Sequence, residues 1–165
     1  MARPLAGARH APRLLAATAG LCLAAVAAAL VTQHVFDMQP CAFCVLQRLV
    51  FLALAAVALL GLAWRGVLGQ RVVGLGLLGL GGLGAVAALW QHFVAAASAS
   101  CAMSWADRIM GATGLDFALP EVFAAYANCA DAKAWLLGVP YEFYSLALFI
   151  GALLVGLWLL RAPRS

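Results

Sequence analysis

CAFCVLQRLVFLALAAVALLGLAW, residues 41–64, opens with two cysteines in C-x-x-C spacing and runs on from Val45 to Trp64 almost without a polar side chain. About 20 apolar residues are needed to cross a hydrocarbon core as a helix, and a backbone in lipid must satisfy its own hydrogen bonds, so the run predicts a transmembrane helix. Pro40 precedes the first cysteine, and Arg48 stands four residues after the second. Two thiols this close can cycle between dithiol and disulfide. A guanidinium at i+4 and the N-terminal end of a helix would both favour the thiolate of Cys44. The stretch therefore predicts a redox-active cysteine pair at a membrane surface.

The rest of the chain fits that setting. Of its 165 residues 67% are hydrophobic and 10% charged, against about 45–50% apolar and 25% charged in soluble domains, which excludes an ordinary water-soluble globule. The net charge of +4 is a topology signal and not a nucleic-acid footprint, because most of the arginines lie in short segments flanking apolar runs.

Four such runs are present, at about 14–32, 45–64, 72–90 and 143–160. They predict an all-α integral membrane four-helix bundle forming a single domain over residues 1–165. The first run is longer than the roughly 7–15-residue core of a signal peptide and is read as a retained helix. Arg3, Arg9 and Arg13, then Arg65 and Arg71, then Arg161 and Arg164 occupy segments without acids, while Asp37, Asp107, Asp116, Glu121, Asp131 and Glu142 all fall in the other two. The positive-inside rule then places both termini in the cytoplasm and residues 33–44 and 91–142 outside. In the second outer loop Leu119, Val122, Phe123 and Tyr126 share one face of a short helix begun by Pro120, expected to lie on the bilayer surface. Gly81/Ala85 and Gly84/Ala88 have the small-xxx-small spacing of close helix packing. Gly74-Leu75-Gly76-Leu77-Leu78-Gly79 matches G-x-G-x-x-G in letters only, for no strand precedes it.

Of the five cysteines, Cys22 lies mid-run and reads as a small apolar residue. The other four, Cys41, Cys44, Cys101 and Cys129, all fall on the outer side. Cys101 and Cys129 could be a structural staple, contributing about 3.5 kcal/mol in the chain-entropy treatment, or a second exchanging pair. A four-thiolate zinc site is a third reading, although structural zinc sites usually show two closely spaced pairs. Arg48 is the residue that structure alone explains least. Arginine within a span costs about 2.5–3.5 kcal/mol at the centre, and it either snorkels or stabilises negative charge on Cys44 or a reduced ligand. Gln47 beside it reads as a helix-interface polar group. Gln33-His34 and Gln91-His92 end the first and third runs, and His92 is the better candidate to meet a membrane-soluble ligand.

Pro40-Cys41-x-x-Cys44-x-x-x-Arg48, four spans and a split cysteine pair in the second outer loop together resemble the disulfide-bond formation protein B (DsbB) family over nearly the whole chain. The resemblance implies a relay. A reduced periplasmic DsbA-like thiol oxidase attacks a Cys101–Cys129 disulfide at Cys101, the electrons pass to Cys41–Cys44, and Cys44 with Arg48 delivers them to the membrane quinone pool, ubiquinone or menaquinone. It further implies a bacterial inner membrane location, His92 beside the quinone, and Gln47 where the family often carries an acid. A DsbA-type disulfide sits near about −120 mV, so its reoxidation needs a strongly oxidising terminal acceptor. The chain has no nucleotide, haem or iron–sulfur motif, which leaves a lipid-soluble acceptor. Two rivals remain. A vitamin K epoxide reductase-like oxidoreductase would place its C-x-x-C late in the bundle, and a structural four-span protein would leave Arg48 unexplained.

Overall fold

The computed structural model describes residues 6–97 and 103–161, with the side chains of residues 6–9 left aside; Cys101 lies outside the described residues. Four helices among them are long and apolar enough to span a membrane: α1 (Ala6–Phe36), α2 (Ala42–Ala63), α3 (Val67–Phe93) and, last in the chain, α7 (Tyr141–Arg161). They pack in a ring, α1 on α2, α2 on α3, α3 on α7 and α7 back on α1, with α3 and α7 the most extensively paired. Leu15, Cys22, Leu54, Leu77, Phe149 and Leu159 fill the centre, where the rings of Phe51 and Phe149 stack at 4.3 Å. Leu60, Leu75, Val86 and Leu154 face outward and exposed, as expected where the solvent is lipid.

All four helices extend beyond the apolar runs, because helix geometry continues into flanks where side chains can be polar. α1 ends where Asp37 turns into the left-handed region at φ 52°, a conformation the short polar side chain of Asp tolerates better than most. α2 begins inside the C-x-x-C. Cys41 is its N-cap, with extended backbone at φ −90° and ψ 172°, so Cys44 sits in its first turn.

Small residues set the α3–α7 contact. A Cβ on Gly156 would stand 2.7 Å from the Gly74 carbonyl oxygen and 2.9 Å from the Leu78 amide nitrogen; on Gly81 it would stand 3.0 Å from the Phe149 carbonyl oxygen. Gly156→Ala therefore has to push two backbones apart. Overpacking of this kind costs about 1–3 kcal/mol, so the variant should melt at a lower temperature in detergent. Gly151→Ala, whose Cβ would meet nothing within 4 Å, should melt like the parent.

The long connection between α3 and α7 holds α4 (Trp105–Thr113), α5 (Leu115–Ala118), α6 (Pro120–Phe123) and a two-stranded hairpin, β1 (Trp135–Leu136) with β2 (Val139–Pro140). α4 has a capping box, in which the Asp107 amide donates to Ser104 Oγ at 3.2 Å and the Ser104 amide to Asp107 Oδ2 at 2.8 Å, and it stops at Gly114 with φ 65°. The surface helix expected from Pro120 is a single turn. Beyond it Ala124 is extended, and the amides of Tyr126 and Ala127 donate to the Pro40 carbonyl at 2.9 and 3.2 Å. Phe123 does not face outward but packs with Cys41, Phe43 and Val45. The loop is thus stitched to the start of α2. Leu137 and Gly138, both at positive φ, close the hairpin, and the Tyr141 amide donates to the Ala134 carbonyl at 3.0 Å as α7 starts.

Candidate active site

The stitching of the loop to Pro40 brings the sulfurs together. Cys41 is fully buried, and its Sγ lies 2.9 Å from that of Cys44. Cys129, near in space though far in sequence, packs against the same cluster. Its sulfur, the Cys44 sulfur and burial together hold the Cys41 thiol well above the usual thiol range. The order in space is therefore Cys129, Cys41, Cys44.

Cys44 opens onto a cavity of about 300 Å³ between α1, α2, α3, α7 and the hairpin, whose lining includes Gln47, Arg48, Phe51, Gln91, Tyr141 and Glu142. Ala25, Ala28, Ala29 and Leu148 make much of the remaining wall. A mostly apolar cavity with a few convergent polar groups is the usual form of a small-molecule site.

Arg48 is 5% exposed and does not snorkel. Its Nη1 donates to Gln33 Oε1 at 2.6 Å and to the Val122 carbonyl at 3.0 Å, and its Nη2 to the Ala29 carbonyl at 3.3 Å. The guanidinium thus ties α1, α2 and α6, while its Nε is buried without a partner. An orphaned donor on a residue that lines the cavity suits a ligand carrying an acceptor oxygen. On the other side Gln91 donates through Nε2 to Cys44 Sγ at 3.3 Å and accepts from Gln47 Nε2 at 2.6 Å. Cys44 therefore has a helix N-terminus, an amide donor and a cation one turn away, each favouring negative charge on sulfur.

Of the residues singled out in the sequence, Cys41, Cys44, Gln47, Arg48 and Cys129 come together. His92 does not line the cavity. Its Nδ1 is 2.7 Å from Oε1 of Glu142, which does. His34 stands apart, exposed, 4.0 Å from the still more exposed Glu121.

A family profile described as "Disulfide bond formation protein DsbB" matches residues 11–159. A Disulfide bond formation protein B from Neisseria gonorrhoeae is 33% identical over 140 residues, covering 81% of this chain and 85% of that protein. One from Polaromonas sp. is 32% identical over 159 residues, covering 90% and 89%. This chain belongs to the DsbB family. It is accordingly a multi-pass membrane protein and an oxidoreductase of disulfide-bond formation. Gln33 on Arg48, Gln91 on Cys44 and Glu142 on His92 are partners of these residues that sequence reasoning did not assign. Gln33 and Gln91 were visible as polar residues at the ends of apolar runs, whereas no local spacing marks Glu142 as a partner of His92.

Proposed function

We propose that the protein is a protein-dithiol:quinone oxidoreductase of a bacterial inner membrane, working as one four-helix transmembrane domain with its cysteine loops in the periplasm. It reoxidises a periplasmic DsbA-like dithiol protein and passes the electrons to membrane ubiquinone or menaquinone. The observation that carries this reading is the cavity shared by Cys44 and Arg48, with the Cys41 sulfur directly behind.

The partner's thiolate attacks a Cys101–Cys129 disulfide at Cys101, forming a mixed disulfide and releasing Cys129. The spatial order of the sulfurs favours Cys129 as the attacker of Cys41 in a Cys41–Cys44 disulfide. That attack makes a Cys129–Cys41 bond and expels Cys44 as a thiolate facing the cavity. The partner's second thiol completes its own disulfide and frees Cys101, which then displaces Cys41 from Cys129. Two electrons thus move from the partner to the Cys41–Cys44 pair with every sulfur accounted for. Arg48 and Gln91 hold the negative charge on Cys44. A bound quinone supplies a two-electron, two-proton acceptor, and the apolar wall of the cavity accommodates its ring.

The test is reconstitution. Purified protein in lipid nanodiscs, given a reduced DsbA-like protein and a short-chain quinone, should form one partner disulfide per quinol. Oxidation of the partner without any quinol overturns the reading. Thiol labelling of intact cells that finds Cys44 and Cys129 on opposite leaflets does the same.

A further inference from the structure

Oxidation of the Cys41–Cys44 pair releases two electrons but does not by itself place protons on a quinone ring. Starting from a Cys41 thiol and a Cys44 thiolate, formation of the disulfide frees one proton, whereas a quinol takes two. One proton must come from outside the sulfur pair. The proton that is freed comes from Cys41, a fully buried residue that does not line the cavity. The cavity itself needs a donor.

Its ionisable lining groups are few: Cys44 and Arg48 from α2, and Tyr141, Glu142 and Tyr144 from α7; those contributed by α1, α3 and the hairpin do not ionise. Arg48 does not give up a proton in proteins. Tyr144 is engaged, its hydroxyl donating to the Leu136 carbonyl at 2.8 Å. Glu142 is 9% exposed overall and lines the cavity, yet its Oε1 is 2.7 Å from His92 Nδ1. His92 is in turn 31% exposed at its side chain, in the last turn of α3. Its ring is fixed between Phe93 at 4.8 Å and Phe143 at 4.7 Å. The pair therefore runs from the partly exposed outer end of α3 to the inside of the cavity.

Resting on the quinone reading above, we propose that Glu142 is the proton donor of the cavity and that His92 reloads it from water. Glu142 gives a proton from its carboxyl to one ring oxygen as the sulfur pair is oxidised and, once reloaded, a second to the other ring oxygen, while the proton freed from Cys41 leaves to water. His92, protonated from solvent, returns a proton to Glu142 through the Nδ1–Oε1 contact. Overall, one thiol, one thiolate, one quinone and one proton from water yield one disulfide and one quinol. Glu142 is the residue that touches the reacting ring; His92 acts through it.

The test uses the full chain in nanodiscs with a short-chain ubiquinone, comparing the parent with Glu142→Gln, Glu142→Asp and His92→Leu. Equilibrium quinone binding, the rate of quinol formation from the pre-reduced protein, and proton uptake followed with an indicator dye in weak buffer are each recorded. General acid–base groups typically contribute about 10²–10⁴-fold. Glu142→Gln should bind quinone within about twofold of the parent yet form quinol at least about 100-fold more slowly, with proton uptake delayed to match and the rate partly restored by added formate. Glu142→Asp should retain most of the rate, and His92→Leu should slow proton uptake without weakening binding. A Glu142→Gln protein that forms quinol at the parental rate overturns the proposal alone. So does one whose rate falls only in proportion to lost quinone binding and is not rescued by formate, since that marks a structural role. Glu142→Asp settles the matter should the Gln variant fail to fold, because loss of its rate with binding intact also overturns the proposal. A parent protein that neither binds nor reduces quinone overturns the functional reading beneath it, and this inference with it.

Discussion

A Cys44→Ser protein is expected to oxidise at most one equivalent of its thiol partner and then stop, reducing no quinone above the uncatalysed background. Cys44 is the sulfur that opens onto the cavity, whereas Cys41 behind it is fully buried. A serine hydroxyl keeps the shape of the site but can neither form the Cys41 disulfide nor carry electrons out of it. A pre-existing Cys101–Cys129 disulfide does not need Cys44, so a mixed disulfide through Cys101 should still be trapped on non-reducing gels. Sustained turnover of this variant would show that the electrons leave by another route.

Arg48→Met should lose quinone use by about 10- to 100-fold, the equivalent of one hydrogen bond to a charged donor at about 1.5–3 kcal/mol. The same substitution removes the donor to Gln33 Oε1 and to the carbonyls of Val122 and Ala29. Those acceptors would be left in a buried site, so the melting temperature should also fall. Arg48→Lys keeps the charge without the planar fork that reaches three acceptors on two other elements, and should fall between. The decisive readings are quinone affinity and the rate of quinol formation. Parental values of both in Arg48→Met would reduce the guanidinium to a structural tie between α1, α2 and α6.

The four spanning helices could be read from the sequence because lipid admits little except long apolar helices, and each run declares itself without help from the rest. The start of α2 was less legible. The apolar run begins at Val45, but the helix starts at Ala42 with Cys41 as its cap, because capping depends on backbone angles that hydropathy does not report. In the second loop Pro120 correctly marks a first helical turn, yet the helix stops at Phe123, and the Pro40 carbonyl takes the amides of Tyr126 and Ala127 beyond it. The helix that does extend, α4, carried a readable signal in Ser104-x-x-Asp107 with Gly114 beyond.

The site divides in the same way. Cys41, Cys44 and Arg48 share one helix and announce themselves by spacing. Gln33 with Arg48, Gln91 with Cys44 and Glu142 with His92 are pairs across helices, set by how α1, α3 and α7 close the ring around α2. Glu142 in particular looked like one more acid on the outer side of the membrane. Only the packing of α7 against α3 turns it toward both His92 and the cavity.

The most direct measurement of the central claim is the visible absorption spectrum of the purified protein with a short-chain quinone bound and the Cys41–Cys44 pair reduced. A Cys44 thiolate against the ring predicts a charge-transfer band that is present in the parent, persists in Cys22→Ser and vanishes in Cys44→Ser. A parent without such a band, or a band indifferent to Cys44, would contradict electron transfer from this sulfur to a quinone in the cavity.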